Sequence, residues 1–162
     1  MTAFQCIPIP TETAERFRRT GRDDNGNEVR RIVATSGNGF PCRHCLRPAE
    51  PGETVLLGSY NLRRPRGIYW TPSPIFLHGA ACPRAEGLNE LASIVRSNSL
   101  VSVRAYDAAD QCLYDLGQVC AGEDVDGPLE RALGDARTAF VNIHTARPGC
   151  LLSMVARVPD RL

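Results

Sequence analysis

The sequence contains no lysine, so all 19 of its basic residues are arginine. Schiff-base enzymes need a lysine amine, and the phosphate-binding loops of many nucleotide hydrolases place a lysine on the phosphates. Its absence therefore excludes several enzyme classes. The formal net charge is only +1, so no strong overall field draws the chain to nucleic acid or to an acidic membrane.

Long apolar segments are also missing from the chain. No window approaches the roughly 18 apolar residues of a membrane span. The segment 1–10 has no basic region followed by an apolar run, so we expect no signal peptide. Seven cysteines, an odd number, then predict reduced thiols and a cytoplasmic protein. Thiolate chemistry, metal binding and core packing are the open roles for these thiols.

Apolar alternation and turn residues predict one α+β domain spanning 1–162, with a mainly antiparallel sheet and mostly hairpin connections. We expect about seven strands among the segments 4–9, 29–35, 54–60, 74–78, 100–106, 111–119, 138–145 and 150–158. Three short helices are expected at 11–19, 88–97 and 128–136. Thr11 or Thr13 is the expected cap of the first helix, and the first strand is expected at a sheet edge.

The most informative motif is a pair of cysteines followed by a histidine–cysteine pair. Cys42 and Cys45 are separated by two residues, and His78 and Cys82 by three. Each pair can supply half of a tetrahedral metal site, a pattern typical of zinc. The alternative is two unrelated pairs in loops and core. We expect one zinc ion per chain and no organic cofactor.

Two details of the motif differ from a compact zinc knuckle. Leu46, not glycine, follows the second cysteine, and the interval of 32 residues between the two pairs requires a strand to return the chain. His44 lies inside the turn and is expected to point outward, not to bind the metal. Four protein ligands would make the site structural, whereas three ligands and a water would make it catalytic.

Two other interpretations of the first cysteine pair fail on neighbouring residues. A zinc nucleobase deaminase needs a His- or Cys-x-Glu segment upstream of its cysteines, and none precedes Cys42. A thioredoxin-like redox motif needs a helix after the second cysteine to lower the thiol pKa, and Pro48 opposes one.

A second group of residues has the chemistry of a small active site. Arg104 and Tyr106 alternate onto one face of their predicted strand, and a hairpin brings His144 near Cys150. A thiolate beside an imidazole can act as a nucleophile, an arginine can hold an anion, and a tyrosine can donate a proton. The alternative is a buried cysteine and a structural arginine.

The loop 60–70 interleaves arginines with aromatic residues and ends at Trp70. Such a loop can bind single-stranded nucleic acid, but with a net charge of +1 we expect a solvated loop or the lid of a small-molecule pocket. Trp70 is therefore a candidate substrate-binding residue. Arg43, beside the first cysteine of the metal motif, is a second candidate.

Several short motifs occur in an order that resembles a known family. They are Pro41-Cys42-Arg43, Gly52-Glu53-x-Val-Leu-Leu57-x-x-Tyr60, Pro74-Ile75-Phe76, Arg104-Ala-Tyr106-Asp107 and Gly149-Cys150. The chain resembles, over roughly residues 29–157, the bacterial domain of unknown function numbered twelve hundred and three in its series. That family has no established activity, so the resemblance implies shared residues and no mechanism: Arg43, Glu53, Arg104, Tyr106 and Cys150.

Three functions are compatible with these patterns. The first is a small zinc-binding protein whose metal holds the loop 39–47 against the end of the strand 74–78. The second is an enzyme acting on a small anionic metabolite through Arg43, Arg104, Tyr106 and the His144–Cys150 pair. The third is a small-molecule binding module without chemistry. No particular oligomeric state is predicted.

Overall fold

The computed structural model describes residues 2–158, which form eight strands, three α-helices and three short 3-10 turns. The strands are β1 (Phe4–Ile7), β2 (Arg30–Val33), β3 (Thr54–Asn61), β4 (Pro72–His78), β5 (Val101–Tyr106), β6 (Gln118–Cys120), β7 (Phe140–Thr145) and β8 (Leu151–Arg157). The helices are α1 (Thr11–Thr20), α2 (Ser93–Arg96) and α3 (Asp126–Gly134). The predicted α+β class is confirmed.

The strands form two antiparallel sheets, not one. Five of them are ordered β1-β8-β7-β5-β6, and three are ordered β2-β3-β4. The predicted edge position of β1 and the predicted β7–β8 hairpin are both confirmed. One apolar cluster lies between the five-stranded sheet and the helices α2 and α3, and a second lies between α1 and the three-stranded sheet and includes Leu151 of β8. A small third cluster packs around Val55 of β3. None of the described helices is long and apolar enough to cross a membrane.

Helix α1 begins without the expected threonine cap. Pro10 occupies the N-cap position, and no side-chain hydrogen bond caps the helix in the described chain. The helix ends at Gly21, whose φ of 63° is the left-handed conformation that glycine adopts without strain. Phe17 and Ala14 are buried against β3, as the helical spacing requires.

Two predicted elements are much shorter than expected. The helix predicted over 88–97 is reduced to α2, because the backbone N–H of Asn89 donates to Phe4 O at 2.8 Å and ties this segment to β1. The strand predicted over 111–119 is reduced to β6 after a 3-10 turn at Tyr114–Leu116. In both segments a long-range hydrogen bond or a turn overrides the local pattern.

Candidate metal centre

The turn that carries the first cysteine pair is closed by its own backbone. The N–H of Cys42 donates to Arg47 O at 3.0 Å, and Pro41 bridges Pro48. Leu46 adopts φ 57° in this turn, a left-handed conformation that costs a non-glycine residue about 1–2 kcal/mol. Its side chain is buried in the core, which offsets that cost. The turn therefore forms without the glycine of a zinc knuckle.

Strand β4 fixes the position of this turn. Cys42 forms a parallel bridge with Phe76, and the N–H of Arg43 donates to Phe76 O at 3.0 Å. This pairing places the Cys42 sulfur 3.4 Å from the backbone nitrogen of His78, at the end of the strand. The chain then turns at Gly79 and returns Cys82 to the same place.

The structure brings together all four residues predicted to bind metal. One ligand atom from each of Cys42, Cys45, His78 and Cys82 lies within 4.8 Å of the others. The sulfurs of Cys42 and Cys82 are 3.9 Å apart, and the sulfur of Cys45 is 3.4 Å from Nδ1 of His78. Two ligands are buried and two are half-buried. This cluster can hold a metal ion with four protein ligands.

Two of the ligands have side-chain partners that orient them. Nη2 of Arg18 lies 3.4 Å from the Cys82 sulfur, and Nε of the same guanidinium donates to His78 O at 3.0 Å. Nε2 of His78 lies 3.3 Å from a carboxylate oxygen of Glu53, which leaves Nδ1 facing the sulfurs. A carboxylate on the far nitrogen is the usual way to orient a metal-binding imidazole.

His44 is buried, so the expectation that it points outward is wrong. Only 2% of the residue is exposed. Its Nδ1 lies 3.3 Å from the Cys82 sulfur, and its Nε2 lies 2.9 Å from the Thr11 hydroxyl. Burial lowers the pKa of this histidine, so the neutral ring can donate one N–H to the sulfur. His44 is thus not a candidate ligand itself but contacts the sulfur of the candidate ligand Cys82 and helps to hold it in place. The sequence did not indicate this role.

Hydrogen bonding and burial give the three thiols of the cluster different pKa values. The thiol of Cys45 donates to Cys42, and backbone N–H groups of Cys45, His78 and His44 also point at that sulfur, so the pKa of Cys42 falls to about 4. The same hydrogen bond raises the pKa of Cys45, and burial raises that of Cys82. Cys42 is therefore the cysteine of the cluster that loses its proton most readily, and a bound metal requires all three sulfurs as thiolates.

Three residues of the second predicted group, Arg104, Tyr106 and His144, lie on one face of the five-stranded sheet. Arg104 pairs in register with Asn142, and its neighbour Ser102 pairs with His144. Tyr106 is buried, which raises its phenol pKa, while the Arg104 guanidinium beside it acts in the opposite direction. The predicted shared face of Arg104 and Tyr106 is thus present.

His144 has one nitrogen satisfied and one free. Its Nδ1 lies 2.9 Å from Gly149 O and must donate, so Nε2 is the unprotonated nitrogen. Among residues 2–158 this buried Nε2 has no hydrogen-bond partner. Burial, followed by the nearby charge of Arg104, lowers the pKa of the ring to about 4.

Cys150 lies at the rim of the same region without joining the histidine. Its side chain is half-buried, and its backbone N–H donates to the Thr145 hydroxyl at 2.9 Å. Within the described chain no hydrogen bond links it to His144. Its charged neighbour is Arg43, whose pKa a Cys150 thiolate would raise.

Arg43 is a buried cation that joins the two sheets. Only 3% of the residue is exposed. Its Nε donates to Leu151 O on β8 at 2.6 Å, and its Nη1 donates to Pro41 O at 2.5 Å. Burial lowers its pKa to about 10, so the group is still cationic at pH 7. The hydrogen bonds of this candidate substrate-binding residue thus go to backbone carbonyls.

The arginine- and aromatic-rich loop packs across the sheet. Arg64 forms an ion pair with Asp110 and lies 4.2 Å from the centre of the Phe140 ring. The hydroxyl of Tyr69 lies 2.7 Å from that of Tyr114. Trp70 is 41% exposed and donates its indole N–H to Leu62 O at 2.9 Å. The loop is therefore an ordered cover with one exposed aromatic ring.

The lowered pKa of His144 gives a pH dependence of stability. In the unfolded chain this histidine has an ordinary pKa of about 6.5 and becomes protonated below that pH. In the folded protein it becomes protonated only near pH 4. Between those values the unfolded state holds more protons, so stability falls as pH drops. Urea unfolding should show about 2 kcal/mol less stability from this group at pH 5 than at pH 7. In His144→Gln this pH-dependent contribution should disappear, and an unchanged difference between the two pH values would contradict the assignment.

The fold and the clustered ligands define an α+β protein with a candidate Cys3His metal centre. The chain belongs to the family described as protein of unknown function (DUF1203), whose sequence profile matches residues 39–157. All four candidate ligands and all four members of the second group fall inside that range. No curated protein and no solved structure matches the chain.

Proposed function

We propose that this chain is a cytoplasmic zinc protein and that its zinc is structural. The observation that carries the proposal is the convergence of three cysteine sulfurs and one imidazole nitrogen from two distant segments. Zinc–sulfur bonds of about 2.3 Å and a zinc–nitrogen bond near 2.0–2.1 Å would put tetrahedral ligands about 3.8 Å (S to S) and about 3.6 Å (S to N) apart. In the cluster the sulfurs of Cys42 and Cys82 are 3.9 Å apart and the sulfur of Cys45 is 3.4 Å from Nδ1 of His78, while all the candidate ligand atoms lie within 4.8 Å of one another.

The donor set favours zinc over harder metals. Thiolates select zinc, copper(I) or iron–sulfur clusters, whereas magnesium and calcium take oxygen ligands. Three thiolates around Zn²⁺ leave a net charge of −1, and the Arg18 guanidinium beside Cys82 offsets that charge. A closed set of four protein ligands fits a structural site, because a catalytic zinc keeps one position for water.

The metal would hold three parts of the chain together. The N–H of Ile9, before α1, donates to Arg43 O at 3.0 Å, and that of Ala85 donates to His44 O at 3.1 Å. The Cys42–Cys45 turn also bridges β4. Zinc bound at this point would fix the turn where β1, β4 and the segment after Cys82 meet. Reduced thiols at such a site fit the cytoplasm, where disulfides are rare.

Metal analysis tests this proposal. Protein purified without chelator should contain about one zinc per chain. Cys45→Ser should lose most of the metal, because a serine hydroxyl is a poor zinc ligand. Cys120→Ser is the matched control, since Cys120 is half-buried on β6 and outside the cluster, and it should retain full metal. Wild-type protein without a transition metal would overturn the proposal.

A second candidate function is an enzyme that acts on a small anionic metabolite. It is favoured by the free Nε2 of His144, which lies near Arg104 and Arg43 and could accept a proton from a substrate. In this function Arg104 would bind the anion, Tyr106 would donate a hydrogen bond, and Cys150 would be the nucleophile.

Labelling with a small alkylating reagent tests the role of Cys150. Burial raises the pKa of both Cys112 and Cys120, although the charge of Arg104 acts against this at Cys112, and Cys150 lies near the charge of Arg43. Because the thiolate is the reactive form, Cys150 should be labelled several-fold faster than the other two at neutral pH. Mass spectrometry of peptides gives the three rates, and equal rates would contradict the enzyme hypothesis in this form.

A further inference from the structure

A cleft between the two sheets combines positive charge with an unused hydrogen-bond acceptor. Its volume is about 290 Å³, and its walls come from the β1–α1 connection, the end of β3, β7 and β8. Three arginines line it: Arg63, Arg64 and Arg84. No aspartate or glutamate lines it within the described part of the chain. The cleft has the size of a site for a small ligand.

Two of the three arginines are available to a ligand. Arg64 already pairs with Asp110. Arg63 and Arg84 are exposed, and neither forms an ion pair with any residue that the structure describes. Two unpaired guanidinium groups on one cleft favour an anion, because each can donate two charge-assisted hydrogen bonds to a carboxylate or phosphate.

The start of α1 adds backbone donors to the same cleft. Pro10 and Thr11 line it, and the first turn of this ten-residue helix has no side-chain cap. Uncapped N–H groups and the positive end of the helix dipole attract anions. The missing threonine cap thus leaves the helix start open to a ligand.

The buried side chain of Asn142 gives a second, independent indication that the cleft binds a ligand. It lines the cleft and is only 1% exposed. Its Nδ2 donates to Arg64 O at 3.1 Å, which identifies Oδ1 as the acceptor. Among residues 2–158 that oxygen has no partner. A buried acceptor without a donor is destabilising, so a ligand that supplies a hydroxyl or amino group would satisfy it.

We propose that this cleft binds a small organic anion that also carries a hydroxyl or amino group. The anionic end would lie between Arg63, Arg84 and the start of α1, and the donor would reach Asn142. The proposal does not depend on the metal, because none of the four candidate metal ligands lines the cleft.

Nuclear magnetic resonance titration of the ¹⁵N-labelled protein tests the proposal with two matched pairs of probes. The phosphate pair is glycerol 3-phosphate and propyl phosphate, and the carboxylate pair is glycerate and propionate. Within at least one pair the hydroxylated probe should bind saturably and several-fold more tightly, shifting the amide resonances of residues 11–13. The better pair identifies the anionic group.

Variants locate the site. Arg63→Gln and Arg84→Gln should each weaken binding about tenfold or more, because each removes a charged donor. Arg30→Gln is the matched control, since Arg30 is exposed on β2 and does not line the cleft. Metal content measured on the same samples reports whether the variants are intact. No saturable binding by any probe, equal affinity within both pairs, or equal weakening in Arg30→Gln would overturn the proposal.

Discussion

Chelated, metal-free protein is expected to melt at least about 10 °C below the metal-bound protein. The binding free energy of a structural zinc is folding free energy, about 10–16 kcal/mol in isolated zinc-finger peptides. In this protein three apolar clusters also stabilise the fold, so we expect a destabilised protein, not an unfolded chain. A loss of about 5 kcal/mol would lower Tm by 10–20 °C in a domain of this size, at about 2–4 °C per kcal/mol.

The chelation experiment has an internal control. Cys45→Ser should melt near the temperature of the chelated wild type, whether or not chelator is present. Cys120→Ser should melt near the wild type and should respond to the chelator as the wild type does. A chelated wild-type protein that melts at the original temperature would contradict a structural role for the metal.

Replacing Arg43 is expected to cost about 3 kcal/mol or more, although this residue is not one of the four candidate metal ligands. The guanidinium satisfies the buried carbonyls of Leu151 and Pro41 with two differently directed N–H groups. Lysine has a single ammonium at the end of a flexible stem and cannot reproduce both contacts. Arg43→Lys should therefore leave a buried acceptor unsatisfied, and Arg43→Ala should leave both.

Urea unfolding of the metal-loaded variants measures this cost. Arg47→Ala is the matched control, because its exposed side chain belongs to the same turn while its backbone carbonyl still closes that turn. It should change the free energy of unfolding by less than about 0.5 kcal/mol. An Arg43→Lys protein as stable as the wild type, with full metal content, would show that the two carbonyls do not need the arginine.

The cluster of four candidate metal ligands could be predicted because metal-binding chemistry depends on residue type and local spacing. Two cysteines three positions apart share one turn wherever that turn lies in the fold. The alternation of side-chain direction along a strand likewise predicted that Arg104 and Tyr106 share one face of β5. Both inferences use the short-range geometry of the chain, which the fold preserves.

The supporting residues could not be predicted because they depend on long-range contacts. Arg18 reaches Cys82 across 64 positions, and His44 turns inward because Thr11 offers it a partner. The division into two sheets is equally non-local: β5 pairs with β7 across α3, while β3 pairs with β2 and β4. Periodicity identifies a strand but not its neighbours, so a single sheet was as compatible with the sequence as two.

The central claim is that one zinc ion is bound by Cys42, Cys45, His78 and Cys82. The X-ray absorption spectrum at the zinc edge of the purified protein tests it most directly, because it reports the number, type and distance of the ligands. We predict three sulfurs at about 2.3 Å and one nitrogen at about 2.0–2.1 Å, with no oxygen ligand. A zinc bound mainly by oxygen and nitrogen, or the absence of zinc from the protein, would contradict the claim.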